Sequence, residues 1–262
     1  EPTSRLEIAG NERIQEYPPR AMTDYDTYME GHGVFKVSAS SMLSGGGYLA
    51  WEAFDKVTGG TSGQAGAADQ AWISANSTYT GSTYHSTKNL GTDHGGTATA
   101  SGEYLILELP HKLRLSSVAI SPRGSETTHA PRDGKVYGSN DMVNWTEIGS
   151  FTGLGHSTGE YAFVTVNATT GFKMFAVVTT AIEYNSAATW LGIGELKYFG
   201  TPAPSTLDDG HLILGKTLTL PRISGHAVGA ETPRAVSLIA HYDTSVGESL
   251  TVGSLYGDAS GQ

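Results

Sequence analysis

The chain has 262 residues, of which 16% are charged, with a net charge of −10, 34 glycines and no cysteine. An acidic balance without any Lys/Arg cluster gives no footprint for a phosphate backbone, so nucleic acid is not an expected partner. Without cysteine there are no disulfides, thiolate metal sites or thiol nucleophiles, and no apolar run reaches the ~20 residues that span a bilayer, so membrane insertion is not expected.

Residues 1–35 carry one short strand pattern, Arg5-Leu6-Glu7-Ile8, and a break at Tyr17-Pro18-Pro19, where proline ends regular structure and stiffens the connection. The chain starts on Glu1 rather than Met and is expected to be part of a longer polypeptide. From Val34 the alternation Phe35-Lys36-Val37-Ser38-Ala39-Ser40 reads as a half-buried strand, followed by Ser44-Gly45-Gly46-Gly47. Residues 50–56 read as a short helix or turn, and 57–103 as a long Gly/Ser/Thr-rich loop interrupted by Trp72; loops of that length commonly carry recognition.

Strand patterns then recur at 105–109, 115–121, 134–138, 146–151, 161–166, 173–180 and 194–199. About eight short strands separated by turn chemistry imply two packed antiparallel sheets, an all-β sandwich of jelly-roll type, with Trp72, Trp145, Phe163 and Phe199 expected in its core. Thr201-Pro202-Ala203-Pro204-Ser205 reads as a linker. Residues 212–220 pattern as a hairpin and 235–242 as a strand, with too few large apolar groups for a core of their own.

Four spaced segments resemble the discoidin (coagulation factor 5/8 type C) family. They are Ala53-Phe54-Asp55 with Trp72, Tyr104 to Leu109, Arg132-Asp133 through Asn140-Asp141 with Trp145, and Gly194-Glu195-Leu196-Lys197-Tyr198-Phe199-Gly200. The resemblance implies a non-enzymatic, galactose-binding-like sandwich over 36–200, with 1–35 as strand segment and connector. Residues 201–262 would be linker and the start of a further β-domain resembling laminin-G. It also implies one structural calcium ion held by the Asp55 and Glu195 carboxylates and the Ala53 carbonyl, because a hard cation gathers oxygens of those types. Lys56-Val57 stands where the family has Gly-Asn, and a long insertion separates Asp55 from Trp72.

Ligands in such folds sit where loops cluster at one end, here 73–103, 122–131 and 181–190. Sugar recognition needs an aromatic face for the C–H side of a pyranose and planar polar groups for its hydroxyls. Tyr84, His85, Arg123, His129, Tyr184, Asn185 and Trp190 supply those types. Gly155-His156-Ser157-Thr158-Gly159 satisfies G-x-S-x-G but lies in a Gly-rich loop, where a nucleophile elbow needs a strand before and a helix after. Three Asn-X-Ser/Thr sequons occur, at Asn76, Asn144 and Asn167.

The reading is therefore a carbohydrate-binding module for attachment to cell-surface glycans, displayed in multiple copies or as a homo-oligomer, at an extracellular or virion surface. Its flanking arrangement resembles fibre or capsid-associated proteins of large DNA viruses that infect algae. The alternative is a structural virion protein whose discoidin module binds neighbouring capsid or fibre proteins. An accessory module of a glycoside hydrolase is the third reading.

Overall fold

One strand organises the molecule. β7 (Glu103–Pro122) belongs to both layers of the sandwich, because its two halves face different partners. The computed structural model describes residues 13–44, 47–58, 71–124, 126–184 and 189–203, all within the unit Glu1–His211. The expected strands at 5–8 and 235–242 and the hairpin at 212–220 lie outside the described residues.

The first half of β7 pairs antiparallel with β3 (Gly33–Ala39) and with β11 (Phe172–Ile182). β11 continues that sheet to β8 (Pro131–Ser139), and β8 to β9 (Thr146–Phe151). Pro110 has no N–H to donate to the ladder, and around it the β11 register shifts, between Phe172 opposite Leu113 and Met174 opposite Glu108. The second half then pairs with β12 (Gly192–Pro202) and β10 (Ala162–Thr165) in the other layer. The expected strands 105–109 and 115–121 are thus one element: the sequence marks its two apolar runs, and the ladder joins them.

The layers meet through aromatic and aliphatic side chains. Tyr198 of β12 lies 5.8 Å from Phe175 of β11, ring centre to ring centre, and stacks at 6.1 Å on Phe54 of the 3-10 turn Ala50–Phe54. Leu105, Leu107, Val136 and Val177 fill the same core, and Trp72 is fully buried there, as expected. A smaller cluster of Leu90, Tyr104, Ile106, Tyr137 and Val178 covers the outer face of the first layer. Burial on both faces explains why the first half of β7 reads as a near-continuous apolar run rather than an alternation.

Three aromatic expectations need correction. Phe163 is 63% exposed, because alternation along β10 turns Val164 inward and Phe163 out. Phe199 is half-buried beside it at 6.3 Å, and its neighbour Tyr198 takes the core position instead. Trp145 is half-buried over the smaller cluster, with its indole N–H donated to the Met142 carbonyl at 2.9 Å.

The sandwich also reaches further toward the N-terminus than residue 36. β1 (Gln15–Tyr17) pairs with β12, β2 (Asp26–Met29) forms a hairpin with β3, and Tyr17, Met22 and Met29 are buried in the main core. Within the expected loop 57–103, the described part holds β4 (Trp72–Ile73), β5 (Tyr79–Thr80), β6 (Thr83–Tyr84) and α1 (Leu90–Asp93). Two-residue strands are too short to show a period, so the sequence reads as loop there.

Candidate functional site

Strand direction brings the three expected loops to one end of the sandwich. β7 ends at Pro122 and β11 at Ile182, while β8 starts at Pro131 and β12 at Gly192, so all four adjoin this rim. Backbone bonds tie the loops together: the Thr78 N–H donates to Thr189 O at 2.9 Å, Ile182 to Ser82 at 2.8 Å, and Glu183 to Ala130 at 2.9 Å.

Arg123, His129 and Trp190 meet there. The His129 imidazole stacks on the Trp190 indole with ring centres 3.6 Å apart and planes 9° from parallel. The Arg123 guanidinium lies 5.7 Å from the Trp190 ring centre and 5.4 Å from that of Tyr48. Glycine is required behind this group: a Cβ at Gly192 would sit 2.9 Å from Trp190 Cζ3. His129 is buried and its Nδ1 is 3.3 Å from the Glu126 carboxylate. Burial pushes the imidazole pKa below its ordinary value, the carboxylate works against that, and Arg123 reinforces it. The stack is therefore one of a neutral imidazole on indole at neutral pH.

The other expected residues divide. Tyr184 is 56% exposed, with its ring beside Gly81 of the β5–β6 turn, so an aromatic face is presented at the rim. Tyr84 serves the fold: its ring packs edge-on against Tyr79 at 5.3 Å, and its hydroxyl accepts the Lys88 N–H at 2.8 Å. His85 is exposed, and its N–H donates to Thr78 O at 3.1 Å. Asn185 lies outside the described residues. Tyr48 was missed by the sequence reading; its one signal is a lone aromatic following the glycine run. Thr189, whose hydroxyl donates to the Asn76 carboxamide oxygen at 2.7 Å, was missed as well.

The expected cation ligands lie close to one another below the rim. The Asp55 and Glu195 carboxyls are close enough to act on each other electrostatically. Glu195 is fully buried on β12; its Oε2 accepts the Lys56 N–H at 2.9 Å, and its Oε1 has no partner among the described residues. Asp55 Oδ1 accepts the Val57 N–H at 2.8 Å. Desolvation by burial pushes both carboxyls above their ordinary range, against the field of Lys56. Ala53 is fully buried in the preceding 3-10 turn. Lys56 takes a left-handed φ of +69°, the conformation glycine holds without strain, and its ammonium reaches Glu16 at 2.6 Å. Among the described residues no three His, Asp or Glu side chains cluster as a metal site.

The Gly155–Gly159 segment joins β9 to β10, two strands, so the strand-then-helix context of a nucleophile elbow is not met. His156 Nε2 is 2.8 Å from the Pro131 carbonyl, which pins that loop to β8.

No protein-family model matches the chain, and no curated protein matches it. Among solved structures it is similar to CBM32-3 from a family 31 glycoside hydrolase of Clostridium perfringens, at 14% identity and a TM-score of 0.45 over 63% of this chain and 88% of that one. It is similar also to a C. perfringens family 32 CBM in complex with galactose, at 17% identity and a TM-score of 0.40 over 63% and 93% of the two chains. The C-terminal domain of a Bacteroides fragilis chitobiase is a third, with 16% identity and a TM-score of 0.43 over 68% and 99%.

Proposed function

We propose that the chain is a non-enzymatic, discoidin-like carbohydrate-binding module that holds cell-surface glycans at the rim. The observation that carries this reading is the Arg123 guanidinium set beside the Tyr48 and Trp190 rings, with Trp190 in turn stacked on His129. Fixed planar donors next to aromatic faces suit a polyhydroxylated ligand, and groups already held by packing cost less to order on binding. Tyr184, exposed at the same end, offers the face against which a pyranose C–H surface packs. Single sites of this kind bind weakly. Display of many copies, as on a viral fibre or capsid, converts weak sites into firm attachment.

Asp55 and Glu195 would hold a structural calcium ion, with the Ala53 carbonyl as a further oxygen. A fully buried carboxyl with an unpartnered oxygen, beside a half-buried one, forms a donor set that fits a hard divalent cation. The ion would neutralise their charge and tie the 3-10 turn to β12.

A glycan array probed with the purified chain tests the reading, with Arg123→Gln as the control for the site. Wild type is expected to retain a defined set of glycans, and the variant to lose at least about tenfold in retention with its melting temperature within about 2 °C of wild type. Retention by the variant equal to wild type would place the binding elsewhere.

A further inference from the structure

All three sequon asparagines are exposed, but the fold commits their side chains differently. The Asn76 carboxamide oxygen accepts the Thr189 hydroxyl at 2.7 Å and the Ser77 N–H at 3.0 Å, which fixes it within the rim. Asn144 donates its side-chain amide to Asp141 Oδ2 and its backbone N–H to Oδ1, each at 2.7 Å. At Asn167 only the backbone is held, by an N–H donated to the Ile148 carbonyl at 3.3 Å. Its carboxamide has no hydrogen-bond partner among the described residues. Its neighbours Val166 and Ala168 donate to Ser116 and Leu115 at 2.8 and 3.3 Å, so the loop is fixed while the amide is left to solvent.

Asn167 and Thr169, the two residues a sequon requires, line one groove of about 390 Å³ between β9 and the β10–β11 loop. Thr146 and Ser150 add hydroxyls to its wall, and Ile148 and Ala168 add apolar surface. The one carboxylate, Glu147, is already paired with Lys135 at 2.7 Å, so the groove suits a neutral, hydroxyl-rich ligand. The groove also sits away from the rim: β11 starts at this loop and runs 11 residues to Ile182, on the order of 30 Å.

We propose that Asn167 is an N-glycan attachment site of this chain in a secretory pathway, and that the groove beside it seats the first sugar. The donor is a polyprenyl-diphosphate-linked oligosaccharide. The Asn167 Nδ2 forms a bond to the anomeric carbon, the bond from that carbon to the diphosphate oxygen breaks, and the lipid diphosphate leaves with the electron pair. The amide proton passes to a base of the transferase. Attachment at Asn167 displaces no hydrogen bond and leaves the rim open. Attachment at Asn76 would break the Thr189 bond and cover the rim.

The test is expression of the full chain in eukaryotic secretory cells, with glycopeptide mass spectrometry of the secreted product. Asn167 is expected to be occupied and Asn76 bare. Thr169→Ser is expected to keep the modification, and Thr169→Ala and Asn167→Gln each to lose one glycan mass. An unmodified Asn167 in the secreted chain, or occupancy of Asn76 in its place, overturns the assignment. Hydrogen exchange reads the groove: with the glycan trimmed to its first sugar, amides of 146–150 are expected to exchange several-fold more slowly than in Asn167→Gln. Equal exchange overturns the seating of that sugar.

Discussion

At the scale of single residues, burial decides which charges help and which cost. Glu195 and Asp55 are carboxyls pushed upward by desolvation, and Glu52 in the adjacent turn is pushed up to about 7 by the same cause. Folded values above the unfolded ones mean that the folded chain holds protons the unfolded chain releases. The stabilisation is therefore complete below about pH 4, where both states are protonated, and is lost as pH rises toward and past neutrality. Without calcium, the melting temperature is expected to fall between about pH 5 and about pH 8, and Glu195→Gln to flatten that fall because an amide does not ionise. Added calcium is expected to restore wild type at the upper pH and leave the variant unmoved. Parallel pH slopes for the two proteins in a thermal melt would show that Glu195 is not the group responsible.

The elements owe their positions to close packing as much as to strand pattern. At Gly138 in β8, an added Cβ would lie 2.5 Å from the Phe172 ring, which is itself edge-on to Phe175 in the core. Gly138→Ala is expected to cost about 1–3 kcal/mol through overpacking, a fall in melting temperature of several degrees. Gly155→Ala, where a Cβ meets nothing within 4 Å, is expected to leave the melt unchanged; equal melts for both variants would refute the packing argument. β9 occupies the span its pattern marks, 146–151, because it is an edge strand with turns at both ends. Phe163 and Phe199 were misplaced for the opposite reason. The sequence shows that residues alternate along β10 and β12, but which phase faces inward depends on partners far along the chain.

For the whole molecule, the N-terminal residues are the decisive addition. β1 closes the edge of β12, and Tyr17, Met22 and Met29 supply large buried groups to the main core. A fragment of residues 13–203 is expected to unfold cooperatively, and one of residues 36–203 to melt at a markedly lower temperature, since each buried Met or Tyr lost removes about 2–5 kcal/mol. Calorimetry of the two fragments checks this, and coincident transitions would return the boundary to residue 36. The rim is a property of the same scale: its three loops are far apart in sequence, as the Thr78–Thr189 backbone bond shows, and adjoin because β7, β8, β11 and β12 all begin or end there.

Residue types and local periodicity are written in the chain itself, so the all-β class, the places of the long strands though not their full extents, the burial of Trp72 and the three rim loops were legible in the sequence. Distance through space is not written there. That His129 stacks on Trp190, that Tyr48 flanks Arg123, that Tyr84 packs inward and that one strand serves both sheets were settled only by the tertiary structure. Each depends on long-range antiparallel register, and a shift of a single residue in that register turns every side chain to the other face.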